Sequence, residues 1–277
     1  MNILKSIVFG IIEGITEWLP ISSTGHLIIY NAIMPMDVSA GFYAVYEVVI
    51  QFGAVCAALL YYFNKIWPFG VTKTPLGNFG ILKYCKKKTF TLWVKIAISC
   101  IPAIIVGLLF GEWLDEHLYN PTVVGISLIV VGIAFIVIET LNSKKEAKIN
   151  RISQIGFSTA FYIGLFQVLA AIFPGTSRSG AIIIGALVLG VNRTIASEYT
   201  FILAIPVMFG ASLLKIFKYG LAFSLSEIMI MLVGCISAFV VSIFVIKLML
   251  NYVRKNKFTI FGIYRIILGI IVLICLH

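Results

Sequence analysis

Six apolar stretches, each long enough to cross a bilayer, fill most of this chain: residues 42–63, 92–111, 122–141, 195–214, 227–250 and 259–276. A helix needs about 20 such residues to span roughly 30 Å of hydrocarbon. No water reaches a backbone at that depth, so every N–H and C=O must be bonded within the protein, and runs of this length predict helices. With 61% hydrophobic and 12% charged residues among 277, the chain has too little polar surface to coat a soluble globule. The expectation is an all-α polytopic membrane protein with a single membrane domain over 1–277. No soluble domain or linker interrupts it.

Two further apolar regions are too short or too broken to cross. Residues 3–19 stop at Pro20, and the next apolar piece, Leu27 to Met34, would rise only about 12 Å as a helix. Residues 155–173 and 181–191 form a matching pair. Both regions, 3–34 and 155–191, read as re-entrant helical hairpins that enter and leave on one side. Each half of the chain then holds one hairpin and three spans, 1–141 and 155–277. Three crossings per half turn the second half upside down, an inverted-topology repeat whose broken tips meet near the midplane.

Loop charge orients this arrangement. Segment 64–91 carries Lys65, Lys73, Lys83, Lys86, Lys87 and Lys88 with no acid, 142–154 carries Lys144, Lys145, Lys148 and Arg151, and 251–258 carries Arg254, Lys255 and Lys257. These belong in the cytoplasm, and the acidic 112–120 segment, with Glu112, Asp115 and Glu116, outside. Lys215 and Lys218 are expected in an outer loop, against the rule. The net charge of +10 is thus spent on topology and gives no reason to expect nucleic acid. Cys56, Cys85, Cys100, Cys235 and Cys275 lack metal-ligand spacing and read as small apolar residues. The N-terminal run, interrupted by Glu13 and Glu17 and with no small-residue cleavage site after it, is expected to stay in place.

Polar chemistry gathers at the two breaks. Glu13 and Glu17 are one helical turn apart and project towards a common point. Carboxylates in a bilayer cost about 2.5–3.5 kcal/mol each, so these two must face a cavity, a metal or a cation; helix capping is the plainer role open to them. Ser22, Ser23 and Thr24 come just after Pro20, and Gly25 permits a tight turn before His26. Hydroxyls and free N–H groups at a helix start attract anions, and Ser23 stands where its proton could pass to His26. The counterpart is Pro174-Gly175-Thr176-Ser177-Arg178-Ser179-Gly180, a backbone cradle with one fixed cation. Arginine offers a fork of donors matched to phosphate oxygens. Glu47 with Gln51, and Glu198 near Thr200, are expected to support the breaks or bond the two halves together. Lys95, Lys247 and Arg265 are expected to snorkel, and His117 and His277 receive no role.

Together, Glu13-Gly-Ile-Thr-Glu17-Trp-Leu-Pro-Ile-Ser22-Ser23-Thr24-Gly25-His26 and Pro174-Gly175-Thr176-Ser177-Arg178-Ser179-Gly180 resemble the two signatures of the bacitracin-resistance family of undecaprenyl pyrophosphate phosphatases. The resemblance runs over the whole chain. It implies a bacterial plasma-membrane enzyme that removes the terminal phosphate of a C55 isoprenoid diphosphate, regenerating the carrier for cell-wall polymers, with its site open to the outer face. It also implies bacitracin resistance on overproduction. Glu13, Glu17, Ser23, His26 and Arg178 match the family's catalytic positions, and Ser22, Thr24, Gly25, Gly175, Thr176, Ser177, Ser179 and Gly180 are expected to bind the diphosphate. Two mechanisms stay open. Ser23 can attack phosphorus with His26 and Glu17 assisting, or Glu13 and Glu17 can hold a divalent cation, Mg2+ or Ca2+, that activates water. A polyprenyl-phosphate flippase or anion transporter is the alternative function, because inverted repeats with broken helices also build transporters. Monomer and homodimer are both open.

Overall fold

The computed structural model describes residues 1–72, 74–77, 80–143, 145–220 and 222–276. Lys73, Lys144 and His277 lie outside the described residues. Among the described residues ten α-helices make up the fold, and no β-strand occurs. In chain order they are α1 (Asn2–Thr16), α2 (Ser23–Ile33), α3 (Ala40–Ile66), α4 (Lys87–Leu118), α5 (Pro121–Asn142), α6 (Phe157–Ile172), α7 (Arg178–Val188), α8 (Arg193–Tyr219), α9 (Leu225–Lys255) and α10 (Thr259–Cys275). Five of them, α3, α4, α5, α8 and α9, are long and apolar enough to cross a membrane. The sixth predicted stretch forms α10, whose 17 residues rise about 25 Å, somewhat short of the ~30 Å hydrocarbon layer.

The breaks fall where sequence chemistry puts them. Pro20 lacks the N–H that would bond the carbonyl of Thr16, the last residue of α1, and Pro174 withholds the same donor from Ala170 near the end of α6. Ser22 then caps α2 by accepting from Gly25 N, and Ser177 caps α7 by accepting from Gly180 N. Both serines take positive φ, 73° and 67°, a conformation that no other non-glycine residue adopts among the described residues. Backbone strain of this kind concentrates at functional sites.

Helices pair with little regard for chain order. α1 lies along α9, α6 along α4, α5 along α10, and α3 along both α8 and α9. Small residues permit the close crossings: a Cβ on Gly10 would stand 2.4 Å from Gly234 O on α9, and one on Gly164 would stand 2.4 Å from Ser99 O on α4. The short helix α7, apolar all round, is buried from Ser179 to Leu187, whereas α2 buries Ser23, Gly25 and Leu27.

Several expectations are corrected here. The outer segment 112–120 is mostly helix, because α4 runs to Leu118. Lys215 and Lys218 are on α8 and not in a loop, and they pair with Asp115 at 3.4 Å and Glu112 at 2.7 Å. Their exception to the charge rule is thereby offset locally by acids. Lys95 does not snorkel; it is 7% exposed, and its ammonium donates to Ser153 O at 3.2 Å over the face of Phe157.

Candidate active site

The two breaks come together in one pocket of about 180 Å³. Glu17, Ser22, Ser23 and Thr24 from the first break line it with Gly175, Ser177 and Arg178 from the second, and Gln51 from α3 closes one side. Glu17, the residue that ends α1, joins the two motifs. Its Oε2 accepts from the Ser23 hydroxyl at 2.9 Å, and its Oε1 accepts from Nη2 of Arg178 at 2.8 Å. Its main-chain carbonyl accepts from the Ser179 hydroxyl at 3.3 Å. Carboxylate and guanidinium are both largely withdrawn from solvent, with side chains 8% and 14% exposed. A charge-assisted contact in such surroundings is short and directional.

Not every site residue points at the same place. Glu13, one turn before Glu17, is fully buried, and neither of its carboxylate oxygens has a hydrogen-bond partner. Thr176 and Ser179 are buried behind the loop, and Ser179 Oγ lies 3.0 Å from Ser177 Oγ. The amides of Gly25 and Gly180 are spent on the caps, leaving the neighbouring first-turn donors for an anion. Of the expected supporting residues, Glu47 on α3 accepts from the Tyr119 hydroxyl at 3.1 Å, and Glu198 on α8 pairs with Lys65 on α3 at 2.6 Å. Both act at a distance from the pocket; Gln51 alone reaches it.

His26 does not bond Ser23. Its Nδ1 donates to the Ser22 carbonyl at 2.7 Å, which leaves Nε2 to accept from the Tyr264 hydroxyl at 2.7 Å. The spacing Ser-x-x-His puts both groups on the first turn of α2, yet the Ser23 hydroxyl turns the other way, towards Glu17. The partner of the serine is therefore an acid from the preceding helix.

Arg265 overturns the snorkelling expectation most plainly. It is 0% exposed, and its guanidinium donates to Pro20 O at 3.1 Å, Gly175 O at 2.9 Å and Thr176 O at 2.8 Å. One cation on α10 thus pins both broken loops together. The signal that could have found it was present: an arginine seven residues into an apolar run is too deep to reach water cheaply. A second missed pair is Glu139 and Arg193. Glu139 is 2% exposed and receives Arg193 Nε at 2.8 Å and Nη2 at 2.5 Å, together with the Phe258 amide at 3.0 Å. It joins α5, α8 and the start of α10.

The chemistry of this arrangement is that of an anion site with a nucleophile. A hydroxyl hydrogen-bonded to a carboxylate is poised to lose its proton, and a guanidinium beside it meets the charge of a phosphoryl group. A family model described as bacitracin resistance protein BacA matches residues 6–271. Undecaprenyl-diphosphatase 1 of Clostridium acetobutylicum is 54% identical over 274 residues, covering 99% of this chain and 97% of that protein. The undecaprenyl-diphosphatases of Desulfitobacterium hafniense and Enterococcus faecalis are 51% and 47% identical over the same length, covering 99% of this chain and 96% and 97% of theirs.

Proposed function

The chain belongs to the bacitracin resistance protein BacA family, and from that membership we infer that it hydrolyses undecaprenyl diphosphate to undecaprenyl phosphate and inorganic phosphate. The reaction returns the lipid carrier to cell-wall synthesis and confers bacitracin resistance. The observation that carries the residue-level mechanism is the Glu17 carboxylate shared between Ser23 and Arg178.

In that mechanism Ser23 Oγ attacks the terminal phosphorus as its proton passes to Glu17 Oε2. The bond to the bridging oxygen breaks, and the electrons leave on the lipid monophosphate. Arg178 neutralises the equatorial oxygens as charge redistributes; positioning and charge stabilisation are nearly all that phosphoryl transfer asks of a protein. Glu17 passes that proton on to the departing monophosphate, and so is ionised again when water cleaves the phosphoserine; it then takes the water's proton and returns it to Ser23 Oγ as inorganic phosphate leaves. His26, held by Tyr264 and the Ser22 carbonyl, fixes the first turn of α2. The chain's first-turn hydroxyls and amides, from Ser22 and Thr24 and from Gly175 to Gly180, hold the diphosphate.

A divalent cation fits beside this chemistry, because Glu13 offers two buried carboxylate oxygens without partners one turn from Glu17. Those two residues would hold Mg2+ or Ca2+, which when bound neutralises diphosphate charge and acts as a Lewis acid. Among the described residues no three His, Cys, Asp or Glu side chains converge, so of these residue types only Glu13 and Glu17 would hold the ion. Chelation is expected to lower phosphate release, and Mg2+ or Ca2+ to restore it; full activity after exhaustive chelation removes the ion from the scheme.

The topology belongs to the same proposal: α10 as sixth span, α1–α2 and α6–α7 as re-entrant hairpins, and halves inverted about the shared pocket. Supporting it is a correspondence of contacts. Ser6 on α1 donates to Ile230 O on α9 and faces Tyr46 of α3 at 2.8 Å, while Ser99 on α4 donates to Ala160 O on α6 and faces Tyr199 of α8 at 2.8 Å. The second set is the first with the hydroxyl on the opposite partner. The test of function is phosphate release from undecaprenyl diphosphate by purified protein beside Arg178→Ala. Release by wild type and its collapse in the variant support the reading; no release by well-folded wild type refutes it and favours transport.

A further inference from the structure

α4, α6 and α8 enclose a groove of about 800 Å³, lined by small and apolar residues such as Ala97, Ala103, Gly107, Gly210 and Leu214. Its position reflects a lapse in the correspondence between the two halves. α9 lies closely along α3, whereas their counterparts α4 and α8 meet over only a short stretch. Two ion pairs, Lys215–Asp115 and Lys218–Glu112, tie those helices together at one end. A Cβ added at Gly107 or Gly210 would meet nothing within 4 Å. The groove shares Ala170, Arg178, Val207 and Ala211 with the active-site pocket, so it opens onto that pocket at the guanidinium.

Two polar groups interrupt the apolar lining of the groove, Gln167 on α6 and, at that junction, Arg178. Gln167 is 2% exposed, and neither its Oε1 nor its Nε2 has a partner. Nη1 of Arg178 is likewise without one. Buried polar groups are as a rule hydrogen-bonded, so an orphaned amide and an orphaned guanidinium nitrogen lining one groove call for a ligand that both can donate to. The apolar space behind them calls for one with a long hydrocarbon chain.

We propose that the groove receives the hydrocarbon chain of the lipid diphosphate and that Gln167 is a substrate-binding residue, donating its side-chain amide to the phosphate esterified to that chain. The proposal rests on the lipid diphosphatase reading above. Gln167 occupies the place in the second motif that Glu13 holds in the first, and a carboxylate there would repel phosphate where an amide donates to it. The esterified phosphate is not the one transferred, so its contact with Gln167 persists from bound substrate to transition state. An interaction of that kind lowers KM and leaves kcat nearly alone. Bilayer lipid solvates hydrocarbon as well as the groove does, so the groove selects chain shape and direction rather than adding hydrophobic affinity.

The experiment measures phosphate release from undecaprenyl diphosphate and from a C15 diphosphate by wild type, Gln167→Leu, Gln167→Glu and Gly210→Phe, each checked for monodispersity. Leucine matches the volume of glutamine in an apolar wall, and phenylalanine at 210 enters open space, so the variants are expected to fold. Gln167→Leu should raise KM about ten- to a hundredfold on both substrates, as expected for a lost bond to a charged group, with kcat little changed and Gln167→Glu worse. Gly210→Phe should raise KM for the long chain several-fold more than for the short one. If both Gln167 variants match wild type while wild type is active, Gln167 does not touch substrate and the phosphatase reading survives. Equal effects of Gly210→Phe on the two chain lengths would take the hydrocarbon chain out of the groove. Wild type that releases phosphate from neither substrate overturns the phosphatase reading and this proposal together.

Discussion

Glu17 is the residue on which both motifs depend, and Glu17→Gln tests that role with little change of shape. The amide cannot accept the Ser23 proton, and its pairing with Arg178 loses a charge. Proton transfer by a positioned side chain is worth about 10²–10⁴-fold, so kcat should fall by that factor while the protein stays folded; kcat within threefold of wild type would rule Glu17 out as the base. Ser23→Ala should cost at least as much, and Ser23→Cys should retain more activity than the alanine variant. The sequence already named the members of this group, because carboxylate, hydroxyl and guanidinium beside a proline break have few other uses in a bilayer. It could not name the bonds. Ser23 has an acid at one side and an imidazole at the other, and the choice depends on the strained φ of Ser22 and on the Ser22 carbonyl, which occupies His26 Nδ1. Arg265 escaped notice for a different reason. Its depth in an apolar run was visible, but its three carbonyl partners lie as much as 90 and 245 residues away along the chain. Arg265→Met removes donors from three buried carbonyls, at about 1–3 kcal/mol for each left unsatisfied. The expected result is a large fall in thermal stability together with loss of activity, and a variant as stable as wild type would refute the pinning role.

At the scale of elements, prolines do two different things in this chain. Pro20 and Pro174 end α1 and α6, whereas Pro102 and Pro206 lie inside α4 and α8 without ending them. The residues just after each proline make the difference. Ser22 and Ser177 supply caps that start a new helix in a new direction, while Ala103-Ile-Ile-Val and Val207-Met-Phe supply apolar side chains and no cap. Helix existence and the two breaks were therefore legible, and the bounds agree within about five residues with the apolar runs except at the end of α4, which continues to Leu118. Which helix packs on which was not legible, since an apolar face in a membrane carries no address and small residues merely permit approach. Gly164 illustrates the point. A leucine there would force α6 away from Ser99 on α4, with a Cβ only 2.4 Å from the carbonyl. Overpacking of this sort costs about 1–3 kcal/mol or more, so Gly164→Leu should lower the melting temperature and the yield of folded protein. A melting curve superimposable on wild type would show that the α4–α6 crossing can open without penalty.

For the whole molecule, the arrangement of charge links fold to function. Phosphate leaves on the side to which the pocket opens, so an enzyme serving wall synthesis gains from a pocket turned outward and basic loops turned inward. The basic residues Lys83, Lys86, Lys88, Arg254 and Lys255 cluster at the start of α4 and the end of α9, while Glu112, Asp115 and Glu116 gather at the end of α4. α4 has 32 residues, so its two ends stand about 48 Å apart, more than the hydrocarbon thickness. On the proposed topology one end faces the cytoplasm and the other the outside, and the positive-inside rule assigns the basic end to the cytoplasm. The five native cysteines would obscure a test by labelling and are first replaced. In that background Glu116→Cys should react in intact cells with a thiol reagent that does not cross membranes, whereas Lys88→Cys and Lys255→Cys should react only after permeabilisation. Reaction of Lys88→Cys in intact cells, with Glu116→Cys protected, would turn the molecule over and put phosphate release inside. Joint reaction of Lys88→Cys and Lys255→Cys, whichever side they share, checks a separate step: it requires an even number of crossings from α4 through α9, as the proposed topology supplies with one each over α4, α5, α8 and α9.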